Sequence, residues 1–408
     1  MTEVLKEILQ LMTGYTIIYP VFMSVGWIVG AICFHTHREK AKVDIVDEAS
    51  VTIVVSMFNE ADLIEETMAA IKKVTYENLK VVLVDDASTD ETVAIVRHYI
   101  QKQHWTNCTL VEMSENGGKA RALNFALTHY VDSEYITVID ADSIIDSAAI
   151  SKLVENFDRP EIAAVTGKPI VRNRTTVLGT LQALEYVSII DTIKRAQQTL
   201  FHKIMTVSGV LVMYRVSSLK TVGGFNPQVM TEDIDVTWRF YKFGYQIKYE
   251  PRAITHILVP EKLKGFIKQR TRWSIGGVEV FNQNIQWVLR QAGTGTKFLM
   301  LEMFFSHLWS WSFIISTLDF VISVFPAHDF KLSVPIMFIY IFMMVFMTAV
   351  SLIRDGGTSK ISVRDLFVWP IYYLFYWVIN LVCSIKSEFV VLFTKKSTGT
   401  WVSPDRGV

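Results

Sequence analysis

The sequence predicts an α/β domain built on a doubly wound parallel sheet and held to a membrane by apolar helices on both sides of it. Short β-branched runs alternate with helical stretches of about 10–15 residues, the pattern of β-α-β units. Aspartates cluster at the ends of two of those runs, where such sheets bind ligands. Uncharged apolar stretches bracket the whole region.

The first stretch, Ile8 to Phe34, carries no formal charge over about 27 residues, where a spanning helix needs roughly 20. It exceeds the apolar core of a signal peptide and no small-residue cleavage site follows, so it is expected to remain as an anchor. Three further runs, about Phe298–Phe325, Leu332–Ile353 and Leu366–Ile385, lie near the end. Arg38, Lys40 and Lys42 follow the first run directly, which by the positive-inside rule puts the intervening domain in the cytosol. Arg354, Lys360 and Arg364 agree with that parity, whereas Lys395, Lys396 and Arg406 would lie outside if all four runs cross. The expected organisation is an anchor at 8–34, a cytosolic domain at 36–260, an interfacial segment at 261–297, spans within 298–394 and a tail at 395–408.

Within the domain, Val51–Ser56 reads as a buried strand and about Ala61–Lys73 as the helix after it. Lys80–Val84, Thr109–Glu112 and Tyr135–Ile139 are the next strands, separated by helices from Asp90 to about Gln103 and over Lys119–Tyr130. Half of the chain is hydrophobic, which excludes disorder, and 40 basic residues balance 40 acidic ones, so no global field argues for nucleic acid. Three cysteines, two of them inside apolar runs, offer neither a disulfide framework nor a thiolate metal cluster.

Five segments carry possible chemistry, each with a plainer reading beside it. Asp140 and Asp142 leave a strand two residues apart, so both carboxylates can address one divalent cation; a solvated turn is the alternative. Asp85 and Asp86 precede Ser88 and Thr89, a natural helix cap, yet the paired carboxylates also suit uracil and ribose donors. Asn116-Gly117-Gly118-Lys119 opens a helix whose amides can meet an anion, or is only a turn. Thr231-Glu232-Asp233 begins another helix, either as a cap with acids in the first turn or as the seat of a general base. Gln269-Arg270-Thr271-Arg272-Trp273 is either a headgroup-facing amphipathic stretch or a clamp for a diphosphate leaving group, with an indole for a sugar.

Taken in order, DDAS, GGKARALN, DAD, Ser208-Gly209, TED and QRTRW resemble the family-2 glycosyltransferases of the cellulose, chitin and hyaluronan synthase group. YPVFM in the first run, AVTGKPIVRNR from Ala164 and the terminal TWVSPDRG resemble, more narrowly, the bacterial poly-β-1,6-N-acetylglucosamine synthases of biofilm formation. The resemblance covers nearly the whole chain. It implies a GT-A fold, a membrane location and inverting, processive transfer from UDP-N-acetylglucosamine to a growing polysaccharide. Asp86 would contact uracil, with Ser56, Asp85 and Lys119 in the donor set. Asp140 and Asp142 would serve Mg²⁺ or Mn²⁺ and the diphosphate, together with Gln269, Arg270 and Arg272. Asp233 would be the catalytic base, and Trp273, with Ser208, Gly209 and Glu232, would hold the acceptor. Ala87 stands where many relatives carry glycine, and Met57-Phe58 departs from the commoner aromatic-Asn pattern, which leaves the contact made by Ser56 open. Spans are fewer than in cellulose synthases, so a small membrane partner is expected to complete a channel. A chitin- or hyaluronan-type synthase, a single-sugar lipid transferase, and a nucleotide-binding transporter or scaffold are the rival readings.

Overall fold

In a computed structural model, the structure describes residues 3–37, 49–324 and 333–393. The basic flank Arg38, Lys40 and Lys42, the tail with Lys395, Lys396 and Arg406, and the terminal TWVSPDRG lie outside the described residues.

Helix α1 (Glu3–His37) leads into strand β1 (Val51–Met57), buried at every position, as its β-branched run demands. Helix α2 (Ile64–Ile71), β2 (Leu79–Asp85), α3 (Thr92–Lys102), β3 (Cys108–Glu112), α4 (Lys119–His129) and β4 (Tyr135–Asp140) follow in the expected alternation. Beyond them come β5 (Ile144–Ile145), α5 (Ala149–Val154), β6 (Ile162–Val171) and α6 (Val177–Glu185). A π-helical segment, Tyr186–Asp191, joins α6 to α7 (Thr192–Phe201). The domain closes with β7 (Leu211–Arg215), α8 (Val216–Thr221), α9 (Glu232–Lys242) and β8 (Gln246–Ile257).

The eight strands form one sheet in the order β3-β2-β1-β4-β7-β6-β8-β5. Strands β3, β2, β1 and β4 run parallel, as the alternation predicts. The other half corrects the expectation of a wholly parallel sheet, because β7 pairs antiparallel with both β4 and β6, and β5 pairs antiparallel with β8. Leu211–Tyr214 is buried on both faces like its parallel neighbours, so its composition carries no sign of direction. Two apolar layers cover the sheet, one around Leu123, Trp238 and Phe240 and the other around Ile53, Ile64 and Leu153. The carboxyl ends of β1, β2 and β4 therefore open onto one rim.

Helices α10 (Leu263–Gln291), α11 (Thr294–Asp319), α12 (Ser333–Asp355) and α13 (Trp377–Phe393) complete the chain. Among the described residues three helices are long and apolar enough to cross a membrane: Glu3–Phe34, Thr294–Ile322 and Pro335–Asp355. Leu11, Ile18, Phe22 and Val29 of α1, and Ile322, Phe338 and Phe342 near or in the other two, lie exposed, the surface a bilayer would cover. The fourth apolar run is broken into a short turn at Val363–Leu366, a π segment at Tyr372–Tyr376 and then α13, which lies along α10.

The ends of the three long helices meet the domain in a consistent sense. Near the C-terminus of α1, Gly30 sits against Ala196 of α7 and Arg195 lies over the Phe34 ring, 5.4 Å from its centroid. The first turn of α11 brings Gly295 against the Phe201 carbonyl. At the C-terminus of α12, Asp355 pairs with Lys168 of β6 at 2.7 Å, and Ser351 bonds Thr192 across the same junction at 2.7 Å. Lys168 also reaches Asp191 at 3.1 Å, and Asp191 accepts from Arg195 at 2.9 Å and from the Tyr249 hydroxyl at 2.6 Å. All of these charged side chains are buried. Burial alone would push Asp191 up, but Lys168, Arg195 and the Tyr249 hydroxyl hold its carboxyl down at about 2.

Candidate active site

Four elements converge on the rim beyond β4. Asp140 ends β4 and Asp142 lies in the turn after it, both half-buried. Lys119, the first residue of α4, places its Nζ 2.5 Å from Asp140 Oδ1 and 3.3 Å from Glu232 Oε1, and donates to the Gly209 carbonyl at 3.1 Å. Asp233, in the first turn of α9, accepts from the Gly209 amide at 3.2 Å through Oδ2. Gly209 permits this approach: a Cβ there would lie 3.1 Å from Asp233 Oδ2 and 3.5 Å from Lys119 Nζ. Thus Lys119, Asp140, Gly209, Glu232 and Asp233, scattered over more than a hundred residues of chain, share one small space.

Charge in that space is unbalanced toward the acids. Burial, then the neighbouring Glu232, raise the Asp233 carboxyl to about 6, with Lys119 and Arg272 pulling the other way. Burial depresses Lys119, but Asp140, Glu232 and Asp233 more than offset it and keep the ammonium charged. A raised carboxyl suits a group that must take up a proton near neutrality. Thr231 does not cap α9: its side chain bonds no helix amide, and its buried Oγ1 has no partner. The turn is pinned instead by α10, since any Cβ at Gly276 would run into the Thr231 side chain.

At the ends of β1 and β2 the two aspartates divide their work differently from expectation. Asp86 is fully buried, and its two oxygens accept from the amides of Gly117 at 2.9 Å and Gly118 at 2.7 Å. The glycine pair thus turns its amides toward a side chain of the protein rather than toward a ligand. Asp85 accepts from the Ser88 amide at 2.9 Å through Oδ2, while its Oδ1 is buried without a partner, as is the Ser56 hydroxyl on the neighbouring strand. Burial pushes Asp85 up, and the Ser88 bonds moderate the shift. Two orphaned polar atoms at adjacent strand ends mark a place where a ligand can bond. Ala87 has φ of 61°, a left-handed conformation that disfavours a side chain. Ala87→Gly should therefore stabilise the domain by about 1 kcal/mol, read as a rise in unfolding temperature in detergent; an unchanged or lower temperature would mean the strain is absent.

Helix α10 brings QRTRW to the same rim. Arg272 is exposed and makes no ion pair among the described residues, yet its charge is felt at Asp233. Gln269 is half-buried with Oε1 unpartnered, and half-buried Trp273 packs against a cluster of Val171, Ala183, Tyr186, Ile257 and Val259. Arg270 points elsewhere: it is buried in a two-pronged pair with Glu185, at 2.7 and 3.3 Å. That differs from its expected place beside the diphosphate: Nη1 and Nη2 are bonded within the protein, while the buried Nε has no partner. Ser208 lies at the entry to β7, its amide donating to the Thr166 hydroxyl at 2.8 Å. Glu185, Tyr186, Gly276 and Tyr376 were missed by sequence reasoning. A glycine pair just after QRTRW was the one available signal, and only for Gly276.

A family model described as glycosyl transferase family 2 matches residues 52–223, from β1 through the end of β7 and α8. Poly-beta-1,6-N-acetyl-D-glucosamine synthase of Staphylococcus epidermidis is 34 % identical over 410 residues, covering 97 % of this chain and 98 % of that one. The chain belongs to glycosyl transferase family 2. The enzyme of the same name from Staphylococcus aureus strain MSSA476 is 34 % identical over 409 residues, with the same coverage. The likeness of this family-2 chain to these relatives thus extends well past residues 52–223, over nearly the full length of both chains. Among solved structures, a mannosyltransferase from Pyrobaculum calidifontis in complex with GDP-Man and Mn²⁺ superposes with a TM-score of 0.63 at 21 % identity, over 93 % of this chain and 99 % of that one. The likeness establishes the GT-A fold.

Proposed function

We propose that the protein is a membrane-bound processive transferase that builds poly-β-1,6-N-acetylglucosamine from UDP-N-acetylglucosamine, inverting the anomeric centre at each addition. The observation that carries the proposal is Asp233, a carboxyl with raised proton affinity, held beside Lys119 and Arg272 on a rim bearing Asp140 and Asp142. An inverting transfer needs one base opposite the leaving group. Asp233 takes the proton from the acceptor's primary hydroxyl, the oxygen forms a bond to C1 of the donor sugar, and the C1–O bond to the diphosphate breaks, releasing UDP. Lys119 and the unpaired Arg272 meet the diphosphate charge, with Gln269 beside them. Asp85 Oδ1 and Ser56 Oγ, both orphaned, receive the uridine, and Asp86 shapes that pocket by fixing the glycine loop. Trp273, Ser208 and Glu232 position the acceptor.

Asp140 and Asp142 would hold Mg²⁺ or Mn²⁺. Two hard carboxylates suit either ion, and among the described residues no group of three acidic, His or Cys side chains could hold one without help, so diphosphate oxygens and water would complete the shell. Such an ion neutralises charge on the departing diphosphate. The domain boundaries read from sequence stand within this proposal, with the catalytic domain cytosolic and a small membrane partner completing the export path. The common sense in which α1, α11 and α12 meet the domain supports its lying on one side of the bilayer, and the supply of UDP-sugars in the cytosol favours that side.

Purified protein in lipid vesicles supplied with UDP-N-acetylglucosamine should give polymer that a β-1,6-specific N-acetylglucosaminidase degrades and a chitinase leaves intact. Excess chelator should abolish synthesis. Chitinase-sensitive product would replace the linkage, and undiminished turnover in chelator would remove the metal.

A further inference from the structure

Arg270 stands in a buried cage that the chemistry above does not use. Its guanidinium carbon lies 4.5 Å from the Trp273 ring centroid and 4.8 Å from that of Phe266. Glu185, at the end of α6, takes two of its nitrogens, and the Tyr376 hydroxyl accepts from Nη2 at 3.1 Å while donating to Glu185 Oε2 at 2.6 Å. The Tyr376 ring packs on Phe266 at 4.9 Å. Arg270, Glu185, Phe266 and Tyr376 are all buried, whereas Trp273 is half-buried at the rim. A buried ion pair of this kind is weak as a source of stability, because desolvation offsets its Coulomb gain. Planar stacking combined with a two-pronged carboxylate contact does fix an aromatic ring in angle and depth. Tyr186, next to Glu185 in the chain, belongs to the apolar cluster against which Trp273 packs.

We propose that Glu185, Arg270 and Tyr376 form a positioning clamp for Trp273, through which the segment leading into the last helix sets the placement of the acceptor sugar. The clamp rests on the reading of Trp273 as the acceptor platform. Arg270 is accordingly a positioning residue and not a ligand of the diphosphate.

The test uses the full chain in vesicles with UDP-N-acetylglucosamine and a β-1,6-linked N-acetylglucosamine oligosaccharide as acceptor. Tyr376→Phe removes one hydroxyl and keeps the ring, so it should fold. Its acceptor KM should rise about tenfold, inside the roughly 100-fold that a displacement of about 1 Å costs, while the donor KM stays within about twofold. Arg270→Lys keeps the charge but loses the flat stack and the second prong, and should fail in the same way and more severely. A wild-type protein that makes no polymer would sink the enzymatic reading itself. If the wild type polymerises and Arg270→Lys raises the donor KM instead, Arg270 belongs to the diphosphate site. Acceptor and donor constants unmoved in both variants would likewise dispose of the clamp.

Discussion

Asp233→Asn is expected to reduce polymer synthesis by about 10²–10⁴-fold, the usual contribution of a positioned general base. The amide keeps the side chain's shape and can still accept from the Gly209 amide, so UDP-sugar binding should barely change. Proton affinity gives a second signature. Burial and Glu232 hold the Asp233 carboxyl at about 6, above the ordinary carboxylate range. A base must be unprotonated to act, so wild-type turnover should fall as pH drops through about 6, and the residual turnover of the Asn variant should lack that limb. Polymer formation, donor affinity and a pH profile on the same membranes check all three. Near wild-type synthesis by the variant would reduce the turn to packing. Lost donor binding would move Asp233 into the nucleotide site.

Lys168→Met should be the most destabilising single change outside the active site, by about 3–5 kcal/mol, the penalty for leaving a buried charge unpartnered. Asp355 would retain only the Ser359 amide and hydroxyl, and Asp191 only Arg195 and Tyr249. Asp191 is depressed in the folded state, so its share of stability is present above about pH 4 and is lost as pH falls toward 2. The cost of removing its lysine should shrink over that range. Adding Asp355→Leu should recover part of the loss, because the orphaned charge is then removed as well. Thermal unfolding in detergent measures the single and double variants. A single variant within about 1 kcal/mol of wild type would mean that this junction bears little of the fold.

The first four strands and their helices were legible because each is a local pattern: β-branched runs of buried residues, then amphipathic turns. The direction of β7 was not, since an apolar run reads the same either way. Among the candidate site residues, Asp140, Lys119 and Asp233 stand out through the chemistry of their neighbours in sequence, and the structure brings them together. Asp85 and Asp86 were found as a pair, but which of them keeps a free oxygen depends on the amides of Gly117 and Gly118, some thirty residues away. Arg270 is the clearest limit. Its partners, Glu185 and Tyr376, are 85 and 106 residues distant, and nothing within the QRTRW segment distinguishes it from Arg272.

The π-helical segment Tyr186–Asp191 sits between two sets of commitments. Glu185 just before it and Tyr186 at its start face Arg270 and the cluster against which Trp273 packs; Asp191 at its end, with Arg195 and Ala196 beyond, faces β6, α12 and α1. An α-helix advances about 100° per residue, so one residue more or fewer there would rotate everything downstream by that angle relative to everything upstream. That widened turn therefore sets the phase between the chemistry and the membrane bundle. Side chains along it can vary in character, but its length cannot change without carrying one set of contacts out of register with the other.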